Sequence, residues 1–223
     1  MSDFIAGGCV GLAQVSIGHP FDTTMVLIQN NKKWVGIPFK NYYKGWRFPL
    51  VSASLFNFTV FPVYERSLKY TNNSIISGAI AGFCATPILF GFEIGKILQQ
   101  THQPLNLKAF TKSKGFYSLL SRETLACSAY FSMYNYAKDQ GNGPLIAGGM
   151  AGLGNWTLTY PLDVIKSRQI AQNISVKTAL KQGKLYKGFS VCAVRAVLVN
   201  AINFWTYETV KNYLDSKIDE SEY

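Results

Sequence analysis

Apolar residues along the chain fall into six long stretches separated by short polar or basic segments. Each stretch is long enough to cross a bilayer as a helix, which takes about 20 residues. The pattern predicts helices over residues 4–29, 46–68, 74–100, 116–137, 144–169 and 189–213. The first is interrupted at Pro20 and the fifth at Pro161; the third has Gly91 at the matching place and Pro87 one turn earlier. A proline inside a helix removes a backbone donor and bends the axis. The odd-numbered stretches also carry glycine pairs four apart, Gly7 and Gly11, Gly78 and Gly82, Gly148 and Gly152. Small residues at that spacing let membrane helices approach closely, so one register predicts one repeated packing contact.

The landmarks recur in order. Asp22, Glu93 and Asp163 are spaced by 71 and 70 residues; the glycine pairs precede them. Lys44-Gly45, Lys114-Gly115 and Lys187-Gly188 follow, and then Tyr64-Glu65, Tyr134-Asn135 and Tyr207-Glu208. Four markers in one order, three times over, describe internal repetition. The chain reads as an all-α membrane protein of three tandem two-helix repeats, 1–71, 72–141 and 142–223, arranged with pseudo-threefold symmetry.

Composition supports a membrane setting. The chain is 48% apolar and 15% charged, against roughly 25% charged residues in an average soluble protein. Its mean hydropathy of +0.07 leaves room for helices that turn polar faces to water or to each other. The net charge of +10 comes from lysines gathered between the stretches, at Lys32, Lys33, Lys40, Lys108, Lys112, Lys177, Lys181 and Lys184, while the C-terminal tail is acidic. Basic loops of this kind orient membrane helices. Spread over three loops, they do not make the single basic face of a nucleic-acid binder. Cys9, Cys84, Cys127 and Cys192 stand singly in apolar surroundings and read as buried free thiols. There are two histidines, His19 and His102, no metal-ligand spacing and no nucleophile-base pair, so neither a metal cofactor nor an enzyme is expected. The N-terminus shows no basic region with a cleavage site, which predicts internal targeting.

Within the even stretches, charged residues stand at mid-membrane depth, where each costs at least about 2.5 kcal/mol unless it faces water or a partner. Arg122 with Glu123 lies seven residues after Gly115, Arg195 seven after Gly188, and Ser52 seven after Gly45. Equivalent positions in three repeats converge at one depth, as a central binding site requires.

These residues resemble the mitochondrial carrier family, whose signature is Pro-x-[Asp/Glu]-x-x-[Lys/Arg] in three tandem repeats. Pro161, Asp163 and Lys166 complete it, followed by Arg168; Pro20 and Asp22 match with Met25 in place of the base; Glu93 and Lys96 match without the proline. The resemblance implies six tilted helices around a water-filled cavity, alternating access, and a multi-pass monomer in the mitochondrial inner membrane. Its partners would be a small-molecule solute and the bilayer, cardiolipin included, with no nucleic acid and no cofactor. The implied matrix gate pairs Asp22 with Lys96 and Glu93 with Lys166 and leaves Asp163 opposite Met25, in need of water or another donor. Gln29 and Gln100 occupy the family's bracing positions. The implied cytosolic gate keeps Glu208 and Lys211, and Glu65 with Lys138, while Leu68 and Asn135 remove the other links.

By the same resemblance Ser52, Arg122, Glu123 and Arg195 contact substrate, with Arg122 and Glu123 flanking the ligand. An acidic neighbour beside the arginine is similar to the amino-acid and carnitine branch, as are Gly18-His19-Pro20-Phe21-Asp22-Thr23 and Tyr186-Lys187-Gly188-Phe189. His19 reads either as a substrate contact or as a packed histidine. The implied function is exchange of a small carboxylate-bearing zwitterion or cation, such as a basic amino acid or a carnitine-like solute. A nucleotide or deoxynucleotide carrier, with Arg122, Arg195 and Arg47 holding phosphates, is one alternative. A carrier-shaped membrane adaptor that no longer transports is another.

Overall fold

The computed structural model describes residues 2–221, and side chains over 9–213 apart from those of 108, 109, 144, 145, 200, 204, 207, 208, 211 and 212. Six long helices carry the chain: α1 (Ser2–Gln29), α3 (Arg47–Thr71), α4 (Ser74–Gln100), α6 (Phe116–Asp139), α7 (Pro144–Gln172) and α9 (Phe189–Ser221). The third matches its sequence-predicted span at both ends, and the others overrun theirs by a few residues or, in α9, by two turns. Three short helices lie in what reads from sequence as loop, α2 (Phe39–Tyr42), α5 (Leu107–Lys112) and α8 (Val176–Lys181), one within each repeat. They all sit at one end of the bundle, here termed the short-helix end.

Local chemistry explains the boundaries. Asn73 caps α4 by accepting from the amides of Ile75 and Ile76 at 2.9 and 3.2 Å, an N-cap that satisfies two of the free donors of the first turn. Asn72 and Asn173 end α3 and α7 in the left-handed conformation, which asparagine tolerates better than most residues. Pro20, Pro62, Pro87 and Pro161 lie inside helices that continue through them. By length and composition α4 meets the criterion for a membrane span outright; the other long helices carry more polar residues along their faces.

The threefold plan is visible in the Lys-Gly glycines. Gly45, Gly115 and Gly188 all have φ in the left-handed region, 84°, 126° and 90°, where a side chain is strained. Each also abuts an odd helix of another repeat. A Cβ on Gly45 would lie 3.2 Å from the Lys96 carbonyl oxygen, one on Gly115 2.9 Å from Ile170 Cγ1, and one on Gly188 3.3 Å from Ile28 Cγ2. The contacts thus run cyclically from the first repeat to α4, from the second to α7 and from the third to α1.

Packing between the long helices is less symmetric. Helix α1 lies along α9, α3 along α4, α4 along α6 and α6 along α7, whereas α1 and α3 meet sparsely. Helices α7 and α9 share an apolar cluster of Tyr160, Val164 and Cys192 with Met25 of α1, and Tyr160 meets Phe189 edge-on at 5.1 Å. A second cluster joins α3, α4 and α6 through Val60, Ala81, Ala85 and Leu119, with Tyr64 stacked on Phe131 at 3.6 Å.

The glycine pairs correct the expectation of one repeated contact. A Cβ on Gly78 would come within 2.7 Å of the Cys127 carbonyl oxygen and of Ser128 Cα, so α4 and α6 touch backbone to backbone there. Gly11, Gly148 and Gly152 have nothing within 4 Å of a Cβ; Gly7 lies outside the described side chains. The motif is engaged in the second repeat alone among those described, because only there do the odd and even helices of one repeat lie together along their length. The thiols need correcting too: Cys127 and Cys192 are buried, but Cys9 is half-buried and Cys84 exposed.

Gly78→Ala drives a methyl into α6 backbone, an overpacking that typically costs about 1–3 kcal/mol, and lowers the unfolding midpoint in detergent. Gly148→Ala, which meets open space, leaves that midpoint unchanged or slightly raised.

Candidate functional site

Three carboxylates on the odd helices face one another near the short-helix end: Asp22 on α1, Glu93 on α4 and Asp163 on α7. Lys96 Nζ lies 3.1 Å from Asp22 Oδ2, and Lys166 Nζ lies 2.7 Å from Glu93 Oε2 and 2.9 Å from Asp163 Oδ1. Two sides of the triangle, α1 to α4 and α4 to α7, are therefore ion pairs between repeats. Asp22 and Asp163 are 6% and 5% exposed. At that burial a lone carboxylate would be far too costly, which is why each has a cation at hand.

The third side, α7 to α1, has no base. Met25 stands at that place and packs with Tyr160, Val164 and Cys192. Amides bridge instead. Gln29 Nε2 donates to Asp163 Oδ2 at 3.1 Å, Asn30 Nδ2 to Ser167 Oγ at 2.9 Å, and Gln172 Nε2 to Asn30 Oδ1 at 3.1 Å. Below them Arg168, 1% exposed, donates to the carbonyls of Gln29, Ala179 and Gly183 at 3.0, 3.0 and 2.8 Å. It ties α7 to the end of α1 and caps α8. The second bracing glutamine, Gln100, donates to Thr23 Oγ1 at 3.2 Å, and Thr23 in turn donates to the Tyr42 carbonyl at 2.7 Å. The α7–α1 side is therefore the one with no lysine ion pair between repeats, and it rests on these amides and on Arg168.

Both arginines of the even helices reach this level. Arg195 Nε on α9 is 2.5 Å from Asp22 Oδ1, although its N–H is not aligned for a hydrogen bond; the contact is Coulombic. Arg122 on α6 bonds the neighbouring Glu123 carboxylate, stands 3.9 Å from Asp163 Oδ1 and lies over the Trp156 ring, 5.1 Å from its centroid. This corrects the expectation that Arg122 and Glu123 flank a ligand with both groups free: the pair neutralises itself. Their side chains project about 100° apart from the helix axis, but a guanidinium is long enough to fold back onto the adjacent acid. The need of Asp163 for a further donor is met by Gln29 and Lys166, and the Arg122 guanidinium adds a charge 3.9 Å away.

Three cavities adjoin the ring. One of about 610 Å³ lies between α1 and α3 and is lined by Ser52, His19, Asp22, Glu93, Lys96 and Arg195 among others. A second, about 170 Å³, lies inside the ring against Met25, Gln29, Asp163, Lys166, Arg122 and Arg195. A third, about 260 Å³, is mostly aromatic and reaches Arg122 and Glu123 beside Phe56, Phe61, Tyr130 and Trp156. Ser52 and Arg195 thus share one cavity, Arg122 and Arg195 another, and Ser52 and Arg122 share none. The Ser52 hydroxyl contacts only the Pro49 carbonyl on its own helix, at 3.5 Å. His19 is 1% exposed, and its Nε2 lies 2.9 Å from the Lys44 carbonyl. That tie to the start of the even helix supports the packed reading. Outside the spanning helices, partial burial and then the cations of Lys44 and Lys32 hold the His102 imidazole below its ordinary value.

At the opposite end, Glu65 and Lys138 are exposed and form no ion pair among the described residues, contrary to the expected link. Lys138 lies over the Tyr134 ring at 5.8 Å instead, and Asn135 donates to Tyr64 Oη and Ser74 Oγ at 2.8 and 2.7 Å. The side chains of Glu208 and Lys211 lie outside the described residues. Among the described residues the helices are therefore tied by ion pairs at the short-helix end, and at the other by the neutral bonds of Asn135. What the sequence reading missed is the downward reach of Arg195, and its one signal was Gly18, which clears space on α1 for that guanidinium.

A bundle of long, proline-containing helices, tied at one end by charges beside polar cavities, suits a membrane solute carrier. A family model described as "Mitochondrial carrier protein" matches residues 142–217. The chain is 28% identical to the Mitochondrial basic amino acids transporter of Rattus norvegicus, over 98% of this chain and 91% of that protein. It is 25% identical to Solute carrier family 25 member 45 of Mus musculus, over 93% and 97%. It is 28% identical to Mitochondrial ornithine transporter 1 of Saccharomyces cerevisiae, over 93% and 94%. Residues 142–217 thus match the mitochondrial carrier family, and nearly the whole chain is similar to proteins named as mitochondrial transporters.

Lys166→Ala strands Glu93 and Asp163 together and costs about 3–5 kcal/mol, whereas Gln29→Ala removes one bond to a carboxylate and costs about 1.5–3 kcal/mol; unfolding midpoints in detergent rank them. Met25→Lys places an ammonium on the amide-bridged side. It raises the midpoint and slows exchange in liposomes, and an unchanged or faster rate would count against a ring that gates.

Proposed function

We propose that the protein exchanges a small, carboxylate-bearing cation or zwitterion, with basic amino acids such as ornithine and arginine the leading solutes, by alternating access. The observation that carries this reading is the placement of Arg195, with Ser52, on the wall of the largest of these cavities, directly above the carboxylate ring. A guanidinium there matches a solute carboxylate, and acids close by match its ammonium groups. Relatives spanning nearly the whole chain support it, for they are named as transporters of basic amino acids and of ornithine.

In this reading Asp22, Glu93, Lys96, Asp163 and Lys166 form the matrix gate, with Gln29 bracing the side that has no lysine. Glu65, Lys138, Glu208 and Lys211 form the cytosolic gate, of which Glu65 and Lys138 stand unpaired among the described residues. Ser52, Arg122, Glu123 and Arg195 line the solute path, and the units divide at 71/72 and 141/142. The protein works as a monomer in contact with bilayer lipid, cardiolipin included, at the basic short-helix end. A nucleotide fits less well. Arg122 and Arg195 each already face a carboxylate, and Arg47 is exposed beside the Trp46 ring, so no cluster of unpaired guanidiniums awaits a polyphosphate among the described residues.

Purified protein in liposomes preloaded with L-ornithine takes up labelled L-ornithine or L-arginine saturably and does not take up labelled ATP. Arg195→Ala lowers that uptake at least tenfold, the loss of about one charge-assisted hydrogen bond. Uptake of ATP alone would transfer the assignment to nucleotides, and no uptake of either would favour the adaptor.

A further inference from the structure

We propose that Arg195 is shared in turn between the closed ring and the cargo: it latches α9 to Asp22 of α1 until a solute carboxylate takes it away. Of the four cations around the ring, Arg195 is the one placed to move. Lys96 and Lys166 connect odd helices to each other through aligned hydrogen bonds of 3.1 and 2.7 Å. Arg122 is held by its neighbour Glu123 and by the Trp156 face, so an incoming carboxylate would have to displace an acid on the same helix. Among the described residues Arg195 has a single ionic partner, and its Nε–H is not directed at it. A forked donor that approaches without alignment gives up less on leaving than an aligned bidentate pair.

Its departure is also tolerable for Asp22. That carboxylate keeps Lys96 at 3.1 Å, so removing Arg195 does not expose a bare buried charge, the step that makes breaking most buried pairs costly. Geometry allows the exchange. Gly18, one turn before Asp22, presents no side chain, and a Cβ there would sit 3.4 Å from both Nε and Nη2 of Arg195. The guanidinium therefore rests directly on α1 between the large cavity and the small one inside the ring, and lines both. A carboxylate in the large cavity meets Arg195 on the same wall as Asp22, Glu93 and Lys96 of the ring.

The consequence concerns which solutes open the carrier. Resting on the amino-acid reading above, it makes the carboxylate, rather than the side-chain cation, the group that releases the latch. A diamine such as putrescine retains the ammonium groups of ornithine but has nothing to offer Arg195.

The latch is tested first without any solute, by unfolding midpoints of Asp22→Asn, Arg195→Gln and the double variant in detergent. Coupled residues give a double variant less destabilised than the two singles added together; additive shifts overturn the latch. If Arg195→Gln yields no folded protein, Arg195→Lys, which keeps the charge and shortens the fork, serves in the same cycle. The second arm is equilibrium binding of labelled L-ornithine to the purified protein. Freed of its competitor in Asp22→Asn, Arg195 binds L-ornithine roughly tenfold more tightly than in the unaltered protein, while putrescine binding does not tighten. Unchanged L-ornithine affinity in Asp22→Asn overturns the proposal. Absence of L-ornithine binding to the unaltered protein alongside a non-additive cycle overturns the solute assignment and leaves the latch standing.

Discussion

Three carboxylates brought to one level inside a membrane protein must each find a cation, or the helices that carry them cannot meet. That constraint organises this molecule. Asp22, Glu93 and Asp163 stand on three different helices, and the bundle can close at the short-helix end only through Lys96, Lys166 and the groups recruited to help them. Two lysines cannot serve three sides. The remaining side has no lysine and is held by Gln29, Asn30, Ser167 and Gln172, with Arg168 bonded to the Gln29 carbonyl beneath them. Arg122 and Arg195 then lean in from the even helices toward Asp163 and Asp22. The cavity inside the ring marks where the missing base would stand.

The helix packing carries a second asymmetry. In the middle repeat α4 and α6 touch backbone to backbone at Gly78, and α4 also packs along α3, so these helices form a solid wedge with its own apolar core. In the first repeat α1 and α3 are parted, and the largest of the cavities fills the gap. Helix α1 instead follows α9. The polar path to the ring therefore lies beside α1, where Ser52, His19 and Arg195 line it, and away from the wedge. The second repeat provides stiffness, and the helices of the first and third bring the cavity and the lysine-free side of the ring together.

Much of this was legible in the residues themselves. The recurrence of acid, Lys-Gly and Tyr landmarks gave three units, and the structure makes the Lys-Gly steps left-handed turns that each abut an odd helix of another repeat. The span read as 74–100 matches α4, and the structure supplies the reason at its start: Asn72 takes the left-handed turn and Asn73 caps the helix. The i, i+3 spacing of Asp163 and Lys166 placed both on one face. Other readings needed the fold. Identical glycine spacing in three helices says that each can be approached closely, but not that a neighbour is there, and only Gly78 and Gly82 have one among the described residues. The same holds for Glu65 and Lys138, which are complementary in charge and yet apart.

What sequence alone determined is therefore the set of faces: which residues repeat, which lie on one side of a helix, and which charges stand too deep in a membrane to be left unpaired. Periodicity and desolvation act locally, and a chain read from end to end displays them. What only the tertiary structure decided is the choice of partner. A guanidinium at the end of a long side chain can reach any of several acids within a turn or across a cavity, and whether Arg195 meets solvent, solute or Asp22 depends on how near α9 lies to α1. That distance is set by the packing of all six long helices together, and by the absence of a side chain at Gly18.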